Sequence, residues 1–320
     1  MYPSDPAAVG RSGGLSNEPI PPSVPLEDPL LAGIGNTPLI SLRRLVADRG
    51  GGFELWGKAE FLNPTGSVKD RAALHIVRAG LADGRLARGR TLIDASSGNT
   101  AVSYAMLGAR LGFPVELVLP RNAHPARVAR IRAYGAAIDF SDPGEGTDGA
   151  QREARARAQA DPGRYFFPDQ YNNPANPEAH FRTTGPEIWE ATGGRLTHFV
   201  AGVGTGGTIS GAGRFLKSRR SSIRVIGVEP TGPIHGLEGL KHLPTALRPS
   251  TYDAGVVDET LRVETEDAQA ERRRLGEREG LAVGLSAAAA VWAALEVGAS
   301  RPGSVVVTIL PDSGHAEEPQ

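Results

Sequence analysis

Short apolar runs alternate along this chain with stretches whose apolar positions recur at helical spacing. Residues 53–62 (FELWGKAEFL) read as a strand, and Ala72, Ala73, Ile76, Val77 and Leu81 then fall on one helical face. The same alternation follows: strand 91–95, helix 100–112, strand 114–120, helix 124–135, strand 136–140 and helix 148–160. Further on come strand 197–202, helix 208–220, strand 223–230, helices 266–280 and 286–298, and strand 304–311. Strands separated by helices at this spacing predict an α/β protein with mainly parallel sheets covered on both faces. No segment repeats at a fixed period.

Between the first strand and its helix lies FLNPTGSVKDRAAL, residues 61–74. Asn63-Pro64-Thr65-Gly66 spells a turn, and Ser67 with Asp70 three residues on spells a capping box that opens a helix. Lys69 then sits in the first helical turn, where the macrodipole favours acids over bases. A surface lysine curling into solvent is the bland explanation. The alternative is a partly buried amine whose pKa falls, which makes it a nucleophile and a general base.

Composition narrows the chemistry. Among 320 residues, 35 Lys and Arg balance 36 Asp and Glu, so nothing in the net charge of -1 points to nucleic acid or an anionic membrane as partner. The absence of cysteine removes disulfides, thiolate metal sites and a thiol nucleophile. The seven histidines show no metal-ligand spacing. Residues 1–32, rich in Pro, Gly and Ser, are expected to form a disordered or loosely docked extension without the pattern of a secretory signal. The longest apolar run, within residues 286–295, falls short of the ~20 residues a membrane span needs. A soluble, cytoplasmic protein is expected.

Three strand-to-helix loops could hold a ligand, since open α/β sheets bind at the carboxyl ends of their strands. The first, Asp94 to Ser103, brings Ser96, Ser97, Gly98, Asn99 and Thr100 to a helix start, where they suit a carboxylate or phosphate or simply an N-cap turn. The second, Ala201 to Gly213, carries Gly202, Gly204 and Gly207 in a G-x-G-x-x-G pattern, with Glu229 closing the next strand. That spacing fits a dinucleotide. Thr205 and Thr208 among the glycines fit a terminal phosphomonoester better, with its three acceptor oxygens. The third places Ser286 at the start of an alanine-rich helix, most simply as its N-cap. A lysine amine, a phosphate cup and a carboxylate cup together suggest pyridoxal phosphate holding an amino acid.

The ordered set NPTGSVKDR, SSGNT, QYNNPANPEAH, GVGTGGTISG, GVEP, GLS and LPDSG resembles the cysteine synthases, which group with cystathionine β-synthase among the tryptophan-synthase-β-like, fold type II pyridoxal-phosphate enzymes. The resemblance runs from Leu31 to Gly314. It implies a smaller mobile domain over 57–178 and a larger domain over 33–56 plus 179–320, with the cofactor between them. Lys69 matches the Schiff-base lysine, Asn99 the partner of the ring hydroxyl, and Gly204, Thr205, Gly206, Gly207 and Thr208 the phosphate loop. Ser286 matches the serine facing the pyridine nitrogen, while Ser96, Ser97, Thr100 and Gln170 match the grip on the substrate carboxylate. The implied reaction joins O-acetyl-L-serine, or O-phospho-L-serine, to sulfide and gives L-cysteine. Cystathionine formation and serine or threonine dehydration are the nearest alternatives, and a nicotinamide-dependent oxidoreductase is the alternative from another class. A homodimer and an acyltransferase partner are also implied by the resemblance. The chain departs from the pattern at Ser96, Ala101, Ala287 and Ala288, where relatives usually carry threonine, glycine and Ser/Thr-Gly, and it stops soon after LPDSG. Ala287 and Ala288 are expected to tighten packing near the cofactor ring.

Overall fold

The computed structural model describes residues 28–96, 98–142, 144 and 146–314. Its elements begin with α1 (Pro29–Ala32), β1 (Leu39–Ser41), α2 (Arg43–Asp48) and β2 (Glu54–Ala59). Next come α3 (Lys69–Ala82), β3 (Thr91–Asp94), α4 (Asn99–Leu111), β4 (Val115–Pro120), α5 (Pro125–Ala133), β5 (Ala137–Ser141), α6 (Gly146–Ala160) and β6 (Tyr165–Phe166). The chain continues through α7 (Ala175–Arg182), α8 (Thr184–Ala191), β7 (His198–Gly202), α9 (Gly207–Arg219) and β8 (Arg224–Pro230). It closes with β9 (Glu259–Val263), α10 (Thr265–Arg274), α11 (Leu285–Ala299) and β10 (Val305–Leu310).

Two sheets result, as the alternating pattern predicts. One has six strands in the order β1-β2-β10-β7-β8-β9, with only β1 antiparallel. The other has four parallel strands in the order β5-β4-β3-β6. Strands β4 and β10 are buried at every position, which is why they read as unbroken apolar runs rather than alternating ones. Helix α11 buries Ala287 through Val291 in the core beside β10, and its small side chains let it lie close to the sheet. Among the described residues no helix is long and apolar enough to cross a membrane.

Several elements carry no clear signal in the sequence. Strand β6 is two residues long, and α7 holds Pro177 in its first turn, where the missing N–H has no helical partner to lose. Elements β1, α1, α2, α8 and β9 are likewise additions to the expected order. The helix expected over 266–280 ends at Arg274, continues as a π-helical turn over Leu275–Glu279, and stops at Gly280 with φ 72°. Of the expected extension, residues 28–32 are described: Asp28 caps α1 and accepts a 2.6 Å hydrogen bond from Arg110 Nε. Residues 1–27 lie outside the described residues.

Candidate active site

Strands β3, β7 and β10 deliver their carboxyl ends to one cavity of ≈ 310 Å³. Lys69 follows β2, Ser96 to Thr100 follow β3, Gly204 to Thr208 follow β7, and Asp312 follows β10. Gln170 and Ser286 also line it, as do Arg127, Glu238 and Lys241. Of the residues matched above to cofactor or substrate binding, Gly207 lies behind the wall and Ser97 lies outside the described residues; Lys69, Ser96, Asn99, Thr100, Gln170, Gly204, Thr205, Gly206, Thr208 and Ser286 line the cavity.

Lys69 is the first residue of α3, but no capping box puts it there. Val68 takes the N-cap position without a side-chain hydrogen bond. Asp70 turns its carboxylate back to the Thr65 N–H (2.7 Å), the Thr65 hydroxyl and the Ser103 hydroxyl (2.6 Å). The helix start is instead tied to the six-stranded sheet, because Val68 N–H donates to Pro311 O at 2.8 Å. Burial pushes the Lys69 pKa below its ordinary value, and the Asp312 carboxylate nearby opposes that shift without cancelling it. Asp312 itself is pushed up by burial. Its Oδ2 accepts from Asn99 Nδ2 at 2.7 Å, while Oδ1 is buried with no partner.

A buried ionic cluster fixes α3 from its other side. Arg71 donates to both oxygens of Glu60 and both of Glu187, each at 2.7 Å, and to Thr37 Oγ1 at 3.1 Å. Lys58 pairs with Glu187 as well. Two cations thus face two carboxylates where β2, α3 and α8 meet.

The glycine loop is shaped by its own protein neighbours. A Cβ on Gly204 would come within 2.2 Å of Gly239 O, and Gly206, at φ 83°, would meet Tyr252 Cβ at 2.5 Å. Glycine is therefore required here before any ligand is considered. The N-cap of α9 is Gly206, which has no side chain to offer, and the first helical N–H, that of Gly207, donates to Thr205 Oγ1 at 3.3 Å. Thr205 Oγ1 accepts from Asn176 Nδ2 at 3.1 Å, and Thr208 Oγ1 lies 3.2 Å from His180 Nε2. Thr100 donates to Gln170 Oε1 at 2.9 Å, which turns the Gln170 amide nitrogen away from that contact.

Three expectations change. Ser286 is not the N-cap of α11; Gly284 is, and Ser286, one residue inside the helix, presents itself to the cavity. Ala101, Ala287 and Ala288 are fully buried and none of them lines the cavity, so their methyl groups fill the core rather than the site. Glu229 fits a dinucleotide ribose poorly, since it is buried, accepts from the Leu243 backbone and does not line the cavity. Asp312, Asn176, His180 and the cleft-spanning pair Arg127–Glu238 were not singled out. The first three lie in LPDSG and QYNNPANPEAH, whose polar residues were the available signal.

Residues 30–312 match the family model described as "Pyridoxal-phosphate dependent enzyme". The chain is 48% identical over 286 residues to a cysteine synthase of Aquifex aeolicus, covering 88% of each chain. It is 42% identical over 281 residues to cysteine synthase B of Salmonella typhimurium, covering 88% of this chain and 91% of that one. The crystal structure of a cysteine synthase (OASS) from Entamoeba histolytica superposes with a TM-score of 0.86 at 32% identity, covering 92% of this chain and 90% of that one.

Proposed function

The chain belongs to the pyridoxal-phosphate-dependent enzymes, and from that premise we propose that it exchanges the β-substituent of O-acetyl-L-serine for sulfide and releases L-cysteine. One observation carries the reading: the half-buried Lys69 lines the same cavity as a glycine-rich helix start flanked by threonines, an asparagine amide and a serine hydroxyl. The cavity suits the cofactor on its donor chemistry. Thr205, Thr208 and the first turn of α9 offer donors to a phosphate, and the partnerless Asp312 Oδ1 awaits a donor beside Lys69.

When bound through its aldehyde to Lys69, pyridoxal phosphate supplies the electron sink that acidifies the substrate Cα proton and lets the β-substituent leave. The protein's own groups do the rest. Lys69, with its pKa lowered by burial, would hold the cofactor and, as a free amine, would serve as the base that takes the substrate Cα proton and returns it. Asn99, oriented by Asp312, presents its amide to the ring hydroxyl. Ser286, on the cavity wall, would offer the ring nitrogen a neutral hydroxyl rather than a carboxylate, and so would not enforce a proton there. Thr100 holds Gln170 by its oxygen and frees the amide N–H groups for the substrate carboxylate, with Ser96 on the same cavity wall; Ser97, given the same role, lies outside the described residues. Residues 57–178, which contain the whole four-stranded sheet, are assigned to the smaller domain, and 33–56 with 179–314 to the larger, although β2 of the six-stranded sheet runs across the boundary from Glu54 to Ala59.

A specific observation favours a second donor. Lys241 lines the cavity with its ammonium 4.9 Å from the Tyr171 ring, a cation suited to the phosphate of O-phospho-L-serine. Adding each donor in turn to the cofactor-loaded protein tests both readings. O-acetyl-L-serine is expected to change the cofactor absorbance, and sulfide to restore it as cysteine accumulates. No change with either donor would overturn the proposal, and a response confined to O-phospho-L-serine would select the second reading.

A further inference from the structure

We propose that His180 is a positioning residue that fixes the direction of the Thr208 hydroxyl, so that this hydroxyl donates into the phosphate cup. The inference rests on the cofactor reading above and concerns what makes the cup work.

His180 is 2% exposed, at the end of α7 that packs on α9. Its two ring nitrogens have one neighbour each: Nδ1 is 2.9 Å from Thr184 Oγ1, and Nε2 is 3.2 Å from Thr208 Oγ1. Burial, together with the positive charges of Arg71 and Lys69, holds the imidazole neutral. A neutral imidazole has one donor and one acceptor. The chain Thr184–His180–Thr208 can therefore run in only two directions. If Nε2 carries the proton, it donates to Thr208, whose own proton then points into the cavity, while Thr184 donates to Nδ1. In the reverse direction Thr208 spends its proton on Nε2 and turns a lone pair toward the cup. An anion in the cup selects the first direction, because a hydroxyl proton, not a lone pair, must face it.

Thr205 shows the same arrangement with its direction settled. Asn176 Nδ2 donates to Gln170 O at 2.8 Å, a carbonyl that can only accept, so the same amide group must also donate to Thr205 Oγ1. The Thr205 proton is thereby left for the cup. Two side chains of one helix, Asn176 and His180, back the two threonines of the loop.

The experiment combines nitrogen NMR of the cofactor-loaded protein with cofactor titrations of the apo-protein. The spectrum is expected to show His180 with Nε2 protonated and Nδ1 bare, unchanged between about pH 6 and about pH 8. In the titrations, His180→Gln, whose amide nitrogen can take the place of Nε2, is expected to bind pyridoxal phosphate within about threefold of the unsubstituted protein. His180→Asn, which reaches only as far as Nδ1, should bind at least about tenfold more weakly. With Thr208→Val already present, His180→Asn should add less than about threefold, since the hydroxyl it orients is gone. An Nδ1-protonated ring, equal binding by the Gln and Asn variants, or full additivity with Thr208→Val would each overturn the proposal. Should His180→Asn fail to fold, the spectrum of the unsubstituted protein decides alone. Borohydride trapping on Lys69 separates the two levels: its success alongside a failed relay refutes only the role of His180, whereas its failure refutes the cofactor reading beneath it.

Discussion

Replacing Arg71 by methionine keeps most of the side chain's volume and removes five hydrogen bonds from the interior. Lys58 still pairs with Glu187, but Glu60, fully buried, is left with only Thr37 and Asn63 as neutral partners. Breaking a buried pair from one side costs about 3–5 kcal/mol. The Glu187 carboxylate reports the combined hold of Arg71 and Lys58. Burial pushes its pKa up, but the bonds from Arg71, then those from Lys58, win and hold it at about 2 against an ordinary 4.5. At about 1.4 kcal/mol per pH unit, that difference is worth about 3 kcal/mol. Because the folded value is depressed, the stabilisation is fully present above about pH 4.5 and is lost as pH falls through about 2. Urea unfolding of the apo-protein, followed by tryptophan fluorescence, is expected to show Arg71→Met less stable by about 3–5 kcal/mol with its m-value unchanged. Adding Glu60→Gln should recover about 1–3 kcal/mol, since it neutralises the stranded charge. A loss below about 1 kcal/mol, or no recovery on adding Glu60→Gln, would refute the reasoning.

Asp94, at the end of β3, is pushed up to about 7 from an ordinary 3.8, chiefly by burial, against the opposing Ala95 N–H and with help from the Asp169 charge. Its folded value is raised, so between about pH 4 and about pH 7 the folded state holds the extra proton and stability falls by up to about 4 kcal/mol as pH rises. Asp94→Asn should flatten that slope in unfolding titrations, and an unchanged slope would count against the assignment. Gly204→Ala, which forces a methyl toward Gly239 O, should weaken pyridoxal phosphate binding by about tenfold or more in an equilibrium titration. Glu238→Gln releases the Arg127 clamp across the cleft and should raise KM for the amino-acid donor by up to about fivefold in steady-state kinetics, since half of the glutamate is open to solvent.

Much of the fold was legible because its strands are either wholly buried or followed at once by a loop rich in Gly, Ser or Thr. Strand β10 and the loop from Gly204 to Thr208 show both signals plainly. Lys69 was legible as an anomaly: a base at a helix start, whose explanation is a cavity rather than a cap. What stayed hidden depends on partners distant in sequence. Asp312 matters through Asn99, 213 residues away, and Arg71 through Glu187, 116 residues away. Helix α7 was concealed by its own Asn and Pro residues, which read locally as turn formers, although they place Asn176 and His180 behind the glycine loop. The glycine spacing points to a phosphate, but Gly204, Gly206 and Gly207 also make room for Gly239, Tyr252 and Asn176, which no local pattern reveals.

The most direct test of the account is the bond it places at residue 69. The purified protein, loaded with pyridoxal phosphate, is reduced with borohydride, digested and analysed by peptide mass spectrometry. The account predicts a reduced cofactor adduct on Lys69, absent from Lys69→Ala, in which catalysis falls by about a thousandfold or more. An adduct on another lysine, or none at all, would contradict it.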